Sequence, residues 1–513
     1  MTSTRTENGA VSRRRFLQRS AATVAAGFAA PAIARNRPEI RDGIQSGDVA
    51  GDSAVVWSRC DRPARLIVEW DISDSFRNAR RLAGALAAPG NGFAATARLT
   101  GLPPGQTIFW RAAFEDADRP GLMSAPETGH LRTHAAAGGP VRFVFGGDQV
   151  GAGWGIDPGR GGMRIYETML KAEPDFLIHL GDRIYSDAPL KKVETWPEGR
   201  IWRNIVTPAK SRIAETVEDY RGCYSYNFLD DHYRRFAAAV PQLCTWDDHE
   251  VTNNWWPGRK RKERYRTDTA TLVDRGRQAF FDYTPMRRNP ANPTALHRAV
   301  RYGPLVEVFM LDTHSHRAPN RRPDSARDAE PMLGPAQAGW FKDALAKSTA
   351  LWKVIASSVP IEVRTPASWR QDKWADGNAG APRGREAELA DILAFIKGRR
   401  IRDTVWVAAD VHYGAAVQFH PDRAAATGFD PFWEFIAGPF MTSTRRPHRM
   451  DPTFGPERVF ATTANGVPET ITPYDELFWF GQGDIDPATG ALTMTIRDVS
   501  GKAIYTQYLE PRT

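Results

Sequence analysis

Four short apolar segments in this chain each end on an aspartate, and this repeat restricts the possible folds more than any other feature. The segments and their acids are 141–147 before Asp148, 176–181 before Asp182, 306–311 before Asp312 and 404–409 before Asp410. A helical pattern over 163–173 separates the first two segments. Buried strands that alternate with helices and end on polar side chains are typical of an α/β layer, whose site lies at the carboxyl ends of its strands.

A different pattern precedes these segments. Residues 53–57 and 66–70 are rich in β-branched and aromatic residues, and a Pro-Pro-Gly turn separates two further alternating segments. This pattern predicts a small all-β domain over 40–134, similar to a fibronectin-III sandwich. A linker of small residues, 134–140, then leads to the second predicted domain, 141–513.

The amino-terminal residues predict export. Arg13 and Arg14 precede an Ala-rich apolar run, 21–34, and Ala32–Ala34 supplies a small-residue cleavage pattern. We therefore predict a Tat signal peptide over 1–34, recognition by the Tat export machinery, and a periplasmic or secreted mature protein. An uncleaved membrane anchor is the alternative. No later segment has the roughly 18 apolar residues that a membrane span needs, so we expect no span in the mature chain.

The composition, with 42% hydrophobic and 25% charged residues, is that of a globular protein and excludes wholesale disorder. The net charge of +8 does not indicate a nucleic-acid-binding module. The predicted signal peptide carries five arginines and one glutamate, which leaves only +4 on the rest of the 513-residue chain. The basic run 259–264 is either an anion-attracting patch or a solvated surface segment.

The three cysteines do not indicate zinc binding or redox catalysis. Cys60, Cys223 and Cys244 lie far apart and form neither a zinc-ribbon nor a Cys-x-x-Cys spacing. Two interpretations are open: a disulfide between Cys223 and Cys244, formed outside the cytoplasm, or buried free thiols.

The candidate chemistry lies in acids and histidines that follow strands. The candidates are Asp148, Asp182, Tyr185, Asp247, Asp248, His249, Asp410 and His412. Taken alone, a strand-end aspartate is usually a turn former or helix cap, and a single histidine is compatible with a core position. Four such sites at strand carboxyl ends would instead converge on one edge of a sheet. Carboxylates packed there repel one another unless cations lie between them.

The types of these side chains restrict which metal ions the predicted site would bind. Zinc centres favour His and Cys, whereas the candidates here are mainly oxygen ligands. Such a set suits harder ions: ferric iron, calcium, magnesium or manganese. Tyr185 follows Asp182 by three residues, which is close enough to place its phenolate on the same ion.

Several longer motifs carry a family resemblance. A Gly-Asp-x-x-Tyr element followed by Asp-His-Glu is similar to the metallophosphoesterase superfamily, purple acid phosphatases included. The wider context resembles the PhoD-type alkaline phosphatase/phosphodiesterase family, over nearly the whole mature chain. The matching stretches are SGDVAGDSAVVWSR (46–59), HLGDRIYSD (179–187), WDDHEVTNNW (246–255), AFFDYTPMR (279–287), LDT (311–313) and ADVH (409–412).

This resemblance implies a layered α/β (α+β) β-sandwich flanked by helices, and hydrolysis of phosphate esters with ferric iron and calcium. Manganese, magnesium and zinc remain alternatives. It implies that Asp182 bridges the metals, that Tyr185 binds the iron, and that Asp247, Asp248 and the Asp410/His412 pair complete the coordination.

Two departures from the family pattern stand out. Many PhoD-type enzymes have a cysteine before the glutamine where this chain has Asp148-Gln149, and an aspartate there resembles the first ligand of other metallophosphoesterases. The family's Leu-Asp-Thr-Arg is here followed by His314 in place of arginine, with Arg317 as the candidate replacement.

The predicted mechanism is attack on phosphorus by a metal-activated hydroxide. His249 either protonates the leaving oxygen or supports a ligand through a hydrogen bond. Arg183 either neutralises phosphate charge or packs in the core. The segment 186–223 is long for a connector and is either a lid next to the site or ordinary packing.

Three other functions are weighed against this one. The first is a purple-acid-phosphatase-like enzyme, but a single late histidine at Asp410-Val411-His412 replaces its Gly-His-x-His pair. The second is a phospholipase-D-like specialisation within the same family, which only lipid substrates would distinguish. The third is a non-catalytic surface-binding protein, which would gain nothing from clustered carboxylates.

Overall fold

The computed structural model describes residues 37–136, 138–196, 199–260, 264–325, 327–361, 363–365, 370–463 and 470–512. The predicted Tat signal peptide, residues 1–34, lies outside these ranges. Among the helices within them, none is both long and apolar enough to cross a membrane.

Within the described residues, α-helices alternate with strands between residues 164 and 408, and the segments on either side contain strands without α-helices. The helices are α1 (Arg164–Lys171), α2 (Val217–Asn227), α3 (Asp231–Ala239), α4 (Thr269–Asp282), α5 (Gly334–Lys347) and α6 (Arg385–Gly398). The strands are β1 (Ile40–Ala50), β2 (Ser53–Cys60), β3 (Ala64–Asp71), β4 (Arg80–Ala87), β5 (Ala94–Leu99), β6 (Thr107–Asp116), β7 (Glu127–Arg132), β8 (Val141–Gly146), β9 (Phe176–His179), β10 (Val193–Trp196), β11 (Arg200–Arg203), β12 (Gln242–Cys244), β13 (Arg298–Tyr302), β14 (Val306–Met310), β15 (Trp352–Ala356), β16 (Thr404–Ala408), β17 (Ala415–Phe419), β18 (Phe432–Ile436), β19 (Thr444–Arg445), β20 (Pro456–Ala461), β21 (Thr470–Ile471), β22 (Trp479–Ile485), β23 (Leu492–Asp498) and β24 (Ala503–Leu509).

Two large mixed sheets form the centre of the molecule. The nine-stranded sheet has the order β24-β23-β22-β8-β9-β12-β1-β2-β5, and the seven-stranded sheet has the order β13-β14-β15-β16-β18-β17-β20. Strands β8, β9 and β12 are parallel in the first sheet, and β14, β15, β16 and β18 are parallel in the second. The predicted combination of layered sheets with helices is confirmed, and both sheets are mixed, which the sequence did not predict.

Alternation of side chains along each strand builds the layers. Phe143 and Phe145 of β8 join the core between the two sheets, whereas Val144 between them faces helices α1 to α4. On the outer side of the second sheet, Phe309 of β14 packs edge-on against Phe341 of α5 with ring centroids 5.9 Å apart. The order of layers is therefore helix, sheet, sheet, helix.

The amino-terminal region is all-β, but its strands divide between two sheets. Strands β4-β3-β6-β7 form a separate four-stranded sheet, whereas β1, β2 and β5 extend the nine-stranded sheet. The junction is a parallel pairing of β1 with β12, with Gly47 opposite Gln242. A Cβ at Gly47 would lie 2.3 Å from the carbonyl oxygen of Pro285 and 2.5 Å from that of Gln242, so the close approach requires glycine.

The carboxyl-terminal hairpin and the cysteines complete the description of the fold. The hairpin consists of β23 and β24 at the edge of the nine-stranded sheet. Cys60, Cys223 and Cys244 are all buried and free. The free-thiol interpretation is therefore confirmed, and the disulfide between Cys223 and Cys244 is wrong.

Candidate metal centre

The strand-end acids occupy sharp turns in the backbone. Asp148 after β8, Asp182 after β9, and Asp410 and His412 after β16 all have positive φ, at 61°, 51°, 69° and 60°. Residues with a Cβ rarely adopt this left-handed region, although Asp and His tolerate it better than branched residues. Such strained positions cluster at functional sites, where the surrounding structure holds them in place.

Asp148, Asp182 and His412 come together where the two sheets meet. The expectation that the strand-end acids lie on one edge of a single sheet is wrong, because β8 and β9 belong to the nine-stranded sheet and β16 to the seven-stranded sheet. The ligand atoms of these three residues lie within 4.8 Å of one another. The Nδ1 of His412 donates to the carbonyl oxygen of Ser443 at 2.6 Å, which leaves the lone pair of Nε2 facing the cluster. The hydroxyl of Tyr185 lies 3.1 Å from this Nε2. These four predicted residues therefore form one candidate cation site.

Two further groups adjoin the first. Asp182, Asp248 and His249 place ligand atoms within 4.8 Å of one another, and so do Asp247, Asp248 and Asp410. Asp182 belongs to two of the three groups, and Asp248 also belongs to two. The structure thus brings together every acid, histidine and tyrosine singled out as a ligand from the sequence, in groups that share carboxylates.

The chemistry of these side chains fits bound cations. Both carboxylate oxygens of Asp148 and of Asp247 are buried without a hydrogen bond of normal distance and angle. Burial, followed by the charge of Asp410, raises the pKa of both of these carboxyls. Burial, followed by the charge of Asp248, likewise raises the pKa of Asp182. Ionised carboxylates in such a place need a compensating positive charge, and oxygen donors suit hard cations.

Glu250 holds two of the ligand loops together, a role that the sequence did not reveal. Its Oε2 accepts hydrogen bonds from the backbone N–H of Asp182 at 3.1 Å and of Asp247 at 2.9 Å. Its Oε1 accepts from the N–H of Arg183 at 2.7 Å. Glu250 thereby fixes the loop after β9 against the loop after β12. Its place inside the Asp-Asp-His-Glu motif is the signal that could have indicated it.

Asp187 is a second residue that the sequence analysis did not single out. Its Oδ1 lies 2.5 Å from Nδ1 of His249, and its Oδ2 accepts from the N–H of Asn253 at 2.9 Å. The Nε2 of His249 faces the ligand cluster, 3.9 Å from Oδ1 of Asp248. The imidazole also stacks on the ring of Tyr185, with centroids 4.3 Å apart. Asp187 ends the matched stretch 179–187, so the motif contained it.

The electrostatics of His249 favour its protonated form. Burial disfavours the imidazolium, but the carboxylates of Asp248 and Asp187 outweigh burial and raise the pKa of His249 to about 9. Asp187 holds the ring through Nδ1, so the proton on Nε2 is the one directed at the cluster.

Lys373 is a cation that no sequence pattern indicated. Its Nζ forms ion pairs with Asp410 and, at 3.2 Å, with Asp372. All three side chains are nearly or fully buried at the edge of the candidate centre. The lysine lies in an irregular segment before α6, without the periodicity or motif that would mark it.

His314 and Arg317 occupy the position where the family pattern has an arginine. Arg317 Nη1 donates to Nε2 of His314 at 2.7 Å, so His314 carries its proton on Nδ1, which lies 3.5 Å from Oδ1 of Asp247. Arg317 Nη2 also bonds the carbonyl of Asp372. Arg317 thus contacts the centre through His314.

Arg183 turns away from the acids. Its guanidinium donates to the hydroxyl of Thr284 at 2.9 Å and to that of Tyr233 at 3.3 Å, and it lies over the ring of Tyr224. These contacts are in the helical layer outside the nine-stranded sheet. Of the two roles weighed from the sequence, they support packing in the core and not a contact with phosphate.

The long connector after β9 contains the hairpin β10–β11. Trp202 of this hairpin is buried and donates to the carbonyl of Gly155 at 2.9 Å, whereas Trp196 is 45% exposed and packs against Trp154. Packing therefore accounts for Trp202.

The basic run 259–264 is described only in part, because residues 261–263 lie outside the described ranges. Within it, Arg259 donates hydrogen bonds to the carbonyls of Asn253 and Asn254.

Comparison with known proteins identifies the family of this chain. A family model described as "PhoD-like phosphatase" matches residues 144–496, and one for its amino-terminal domain matches residues 25–135. The chain therefore belongs to the PhoD-like phosphatase family.

Individual relatives agree with this assignment. Alkaline phosphatase D of Bacillus subtilis (strain 168) is 28% identical over 414 residues, which cover 74% of this chain and 65% of that protein's length. The solved structure of PhoD superposes with a TM-score of 0.70 at 21% identity, covering 92% of this chain and 90% of that one. Purple acid phosphatase PPD1 from yellow lupin seeds gives 0.58 at 12% identity, covering 93% and 74%. The two solved structures support the fold.

Proposed function

We propose that this protein is an exported alkaline phosphatase/phosphodiesterase that hydrolyses phosphate esters at a centre holding more than one cation. The observation that carries the proposal is the approach of two ligand groups: Asp182 of one group and Asp248 of the other place carboxylate oxygens within 4.8 Å of one another. Two groups whose carboxylates lie this close would hold two cations near each other. The family and the relative named alkaline phosphatase D give the substrate class.

The proposed ligands are those that the sequence singled out. Asp148, Asp182, His412 and Tyr185 would hold one cation, for which ferric iron is proposed because phenolate is an oxygen ligand suited to it. The remaining acids, Asp247, Asp248 and Asp410, would hold calcium. Cations bound there would supply the positive charge that allows water to attack an anionic phosphate ester.

The chain's own residues would handle the leaving group. His249 is held through Nδ1 by Asp187 and presents its Nε2 proton toward the ligand cluster. As an imidazolium it would give that proton to the ester oxygen as the P–O bond breaks, so that the departing group leaves as a neutral alcohol. Asp187 keeps the ring oriented and stabilises its charge. Lys373 and Arg317 would add positive charge at the rim of the site.

Export and domain organisation are part of the same proposal. Residues 1–34 would direct Tat transport to the periplasm or the exterior. Residues 40–134 would form a fibronectin-III-like domain that precedes the catalytic domain, 141–513. The arginine pair Arg13-Arg14 before the apolar run and the all-β character of β1 to β7 support this organisation.

The direct test is hydrolysis of bis-p-nitrophenyl phosphate and of p-nitrophenyl phosphate by the purified protein. We expect turnover that a chelator removes and that added iron and calcium restore. The visible spectrum provides a second readout, because a tyrosinate on ferric iron gives a coloured charge-transfer band. Absence of turnover under every metal condition would contradict the proposal and favour a binding protein. Turnover confined to phospholipids would favour the phospholipase-D-like specialisation.

A further inference from the structure

A second cluster of carboxylates lies outside the centre described above. Asp376 lies in the irregular segment before α6, Glu386 in the first turn of α6, and Asp451 between β19 and β20. One oxygen of each lies within 4.8 Å of the others. The side chains are almost completely buried, with 7%, 0% and 0% of the residue surface exposed. The three residues are hereafter called the acidic triad.

The hydrogen bonds of the acidic triad leave one oxygen of each carboxylate unused. Asp376 Oδ1 accepts from the N–H of Asn378 at 2.7 Å, and Glu386 Oε1 accepts from the N–H of Asp376 at 3.0 Å. Asp451 Oδ1 accepts from the hydroxyl of Thr453 at 2.8 Å. The other oxygens, Asp376 Oδ2, Glu386 Oε2 and Asp451 Oδ2, are buried without a hydrogen bond. Buried polar atoms nearly always have a partner, so three such atoms in one place point to a ligand.

The basic side chains recorded nearby do not balance three negative charges. Arg364 Nε lies 3.9 Å from Asp451 Oδ2 and its side chain is 35% exposed. Arg383 ion-pairs with the exposed Asp328 at 3.6 Å. Burial, followed by the charges of Asp451 and Asp376, raises the pKa of Glu386 to about 9. The triad therefore holds either protons or a cation at neutral pH.

We propose that the acidic triad binds one divalent cation, of the calcium type, in a structural site separate from the catalytic centre. Three carboxylate oxygens with no nitrogen or sulfur donor form a hard ligand set, and calcium accepts six to eight oxygens in flexible geometry. The cation joins the start of α6 to the segment around Asp376 and to the segment around Asp451. The first of these segments also carries Lys373, which pairs with Asp410.

This inference does not rest on the proposed function, because the triad contributes no group to the phosphoesterase centre. Its test is the calcium content of the full-length holoprotein after equilibration with Ca²⁺ and removal of free ion. We expect Glu386→Gln, which keeps the shape of the side chain, to hold one equivalent less calcium per chain than the wild type. Glu388→Gln is the matched control, because Glu388 lies on the same helix and its Oε2 already accepts hydrogen bonds from two backbone N–H groups. The calcium content of this variant should equal that of the wild type.

Thermal unfolding gives a second readout. We expect the calcium-dependent rise in Tm to be smaller in Glu386→Gln and in Asp451→Asn than in the wild type and in Glu388→Gln. Equal calcium content and equal calcium dependence of Tm in all four proteins would overturn the proposal and indicate shared protons. Should both triad variants fail to fold, anomalous diffraction from wild-type crystals containing Tb³⁺ decides the question. A peak among the three carboxylates is expected, and its absence would overturn the site.

Discussion

The molecule contains two buried clusters of carboxylates that differ in what surrounds them. The strand-end centre includes His249, His412 and Tyr185 beside its acids, and its groups share ligands. The acidic triad contains carboxylates alone, each tied by one oxygen to a neighbouring backbone or side-chain donor. Carboxylates alone are enough to hold a cation, and the strand-end centre adds an imidazole, His249, that changes charge near neutral pH and can transfer a proton. The comparison therefore contrasts a proposed reaction centre with a proposed structural cation site.

The largest effect is expected at the residue shared between ligand groups. Asp182→Ala should lower kcat/KM for bis-p-nitrophenyl phosphate by about 10³-fold or more, because several kcal/mol of charge stabilisation is lost with the bound cations. Circular dichroism should show the fold intact. The exposed Asp422→Ala should behave as the wild type. Retained activity in Asp182→Ala would remove this aspartate from the centre.

The next largest effect is expected at the proposed proton donor. His249→Gln should lower kcat by about 10²–10⁴-fold for a phosphate diester with a poorly acidic alkyl alcohol as leaving group. The loss should be much smaller for a p-nitrophenyl ester, because p-nitrophenolate leaves without needing a proton. Equal losses for both esters would indicate that His249 supports a ligand and does not protonate the leaving oxygen.

A smaller, pH-dependent effect is expected at Asp187. Asp187→Asn removes a negative charge that raises the pKa of His249, so this pKa should fall. His249 can donate a proton only while it is protonated. As the pH rises, the activity of Asp187→Asn should therefore begin to decline at a lower pH than the activity of the wild type does. We expect a loss of about tenfold in kcat on the alkaline side, which corresponds to about 1.4 kcal/mol. If the pH at which activity declines on the alkaline side is unchanged in Asp187→Asn, Asp187 has only a structural role.

The smallest effect on catalysis is expected at the acidic triad. Glu386→Gln should leave kcat for p-nitrophenyl phosphate within about twofold of the wild type, because the residues of the proposed phosphoesterase centre are unchanged. It should lower Tm in the presence of Ca²⁺, because the folded protein no longer gains stability from the bound calcium ion. The same measurements of kcat and of the calcium-dependent rise in Tm on Asp182→Ala should show the opposite pattern: the activity is lost and the acidic triad keeps its calcium. A large loss of kcat in Glu386→Gln would join the two clusters into one functional unit.

The strand-end centre was predictable from sequence because its residues follow a local pattern. Short apolar segments ending at Asp148, Asp182 and Asp410 predict parallel strands with polar side chains at their carboxyl ends. The sequence did not show that these strands belong to two sheets, whose carboxyl ends meet at the centre. Tyr185 and His412 follow from spacing next to those acids. The layered arrangement of helices on sheets was predictable for the same reason.

The remaining features depend on tertiary contacts that have no local pattern. Asp451 lies 65 residues beyond Glu386 along the numbering, and neither occupies a strand end or a motif. Lys373 lies in an irregular segment and reaches Asp410 only through the fold. Likewise, the pairing of Gly47 with Gln242 makes the amino-terminal strands continuous with the nine-stranded sheet, a connection that the sequence did not indicate. Arg183 shows the converse: it is adjacent to Asp182 in sequence, but its guanidinium contacts Thr284 and not the acids of the centre.

The most direct measurement of the central claim is anomalous diffraction from crystals of the protein purified with its native metals. The account predicts at least two peaks at the strand-end centre, one among Asp148, Asp182 and His412 and another among Asp247, Asp248 and Asp410. A catalytically active crystal with no peak, or with a single peak that Asp182 does not contact, would contradict it.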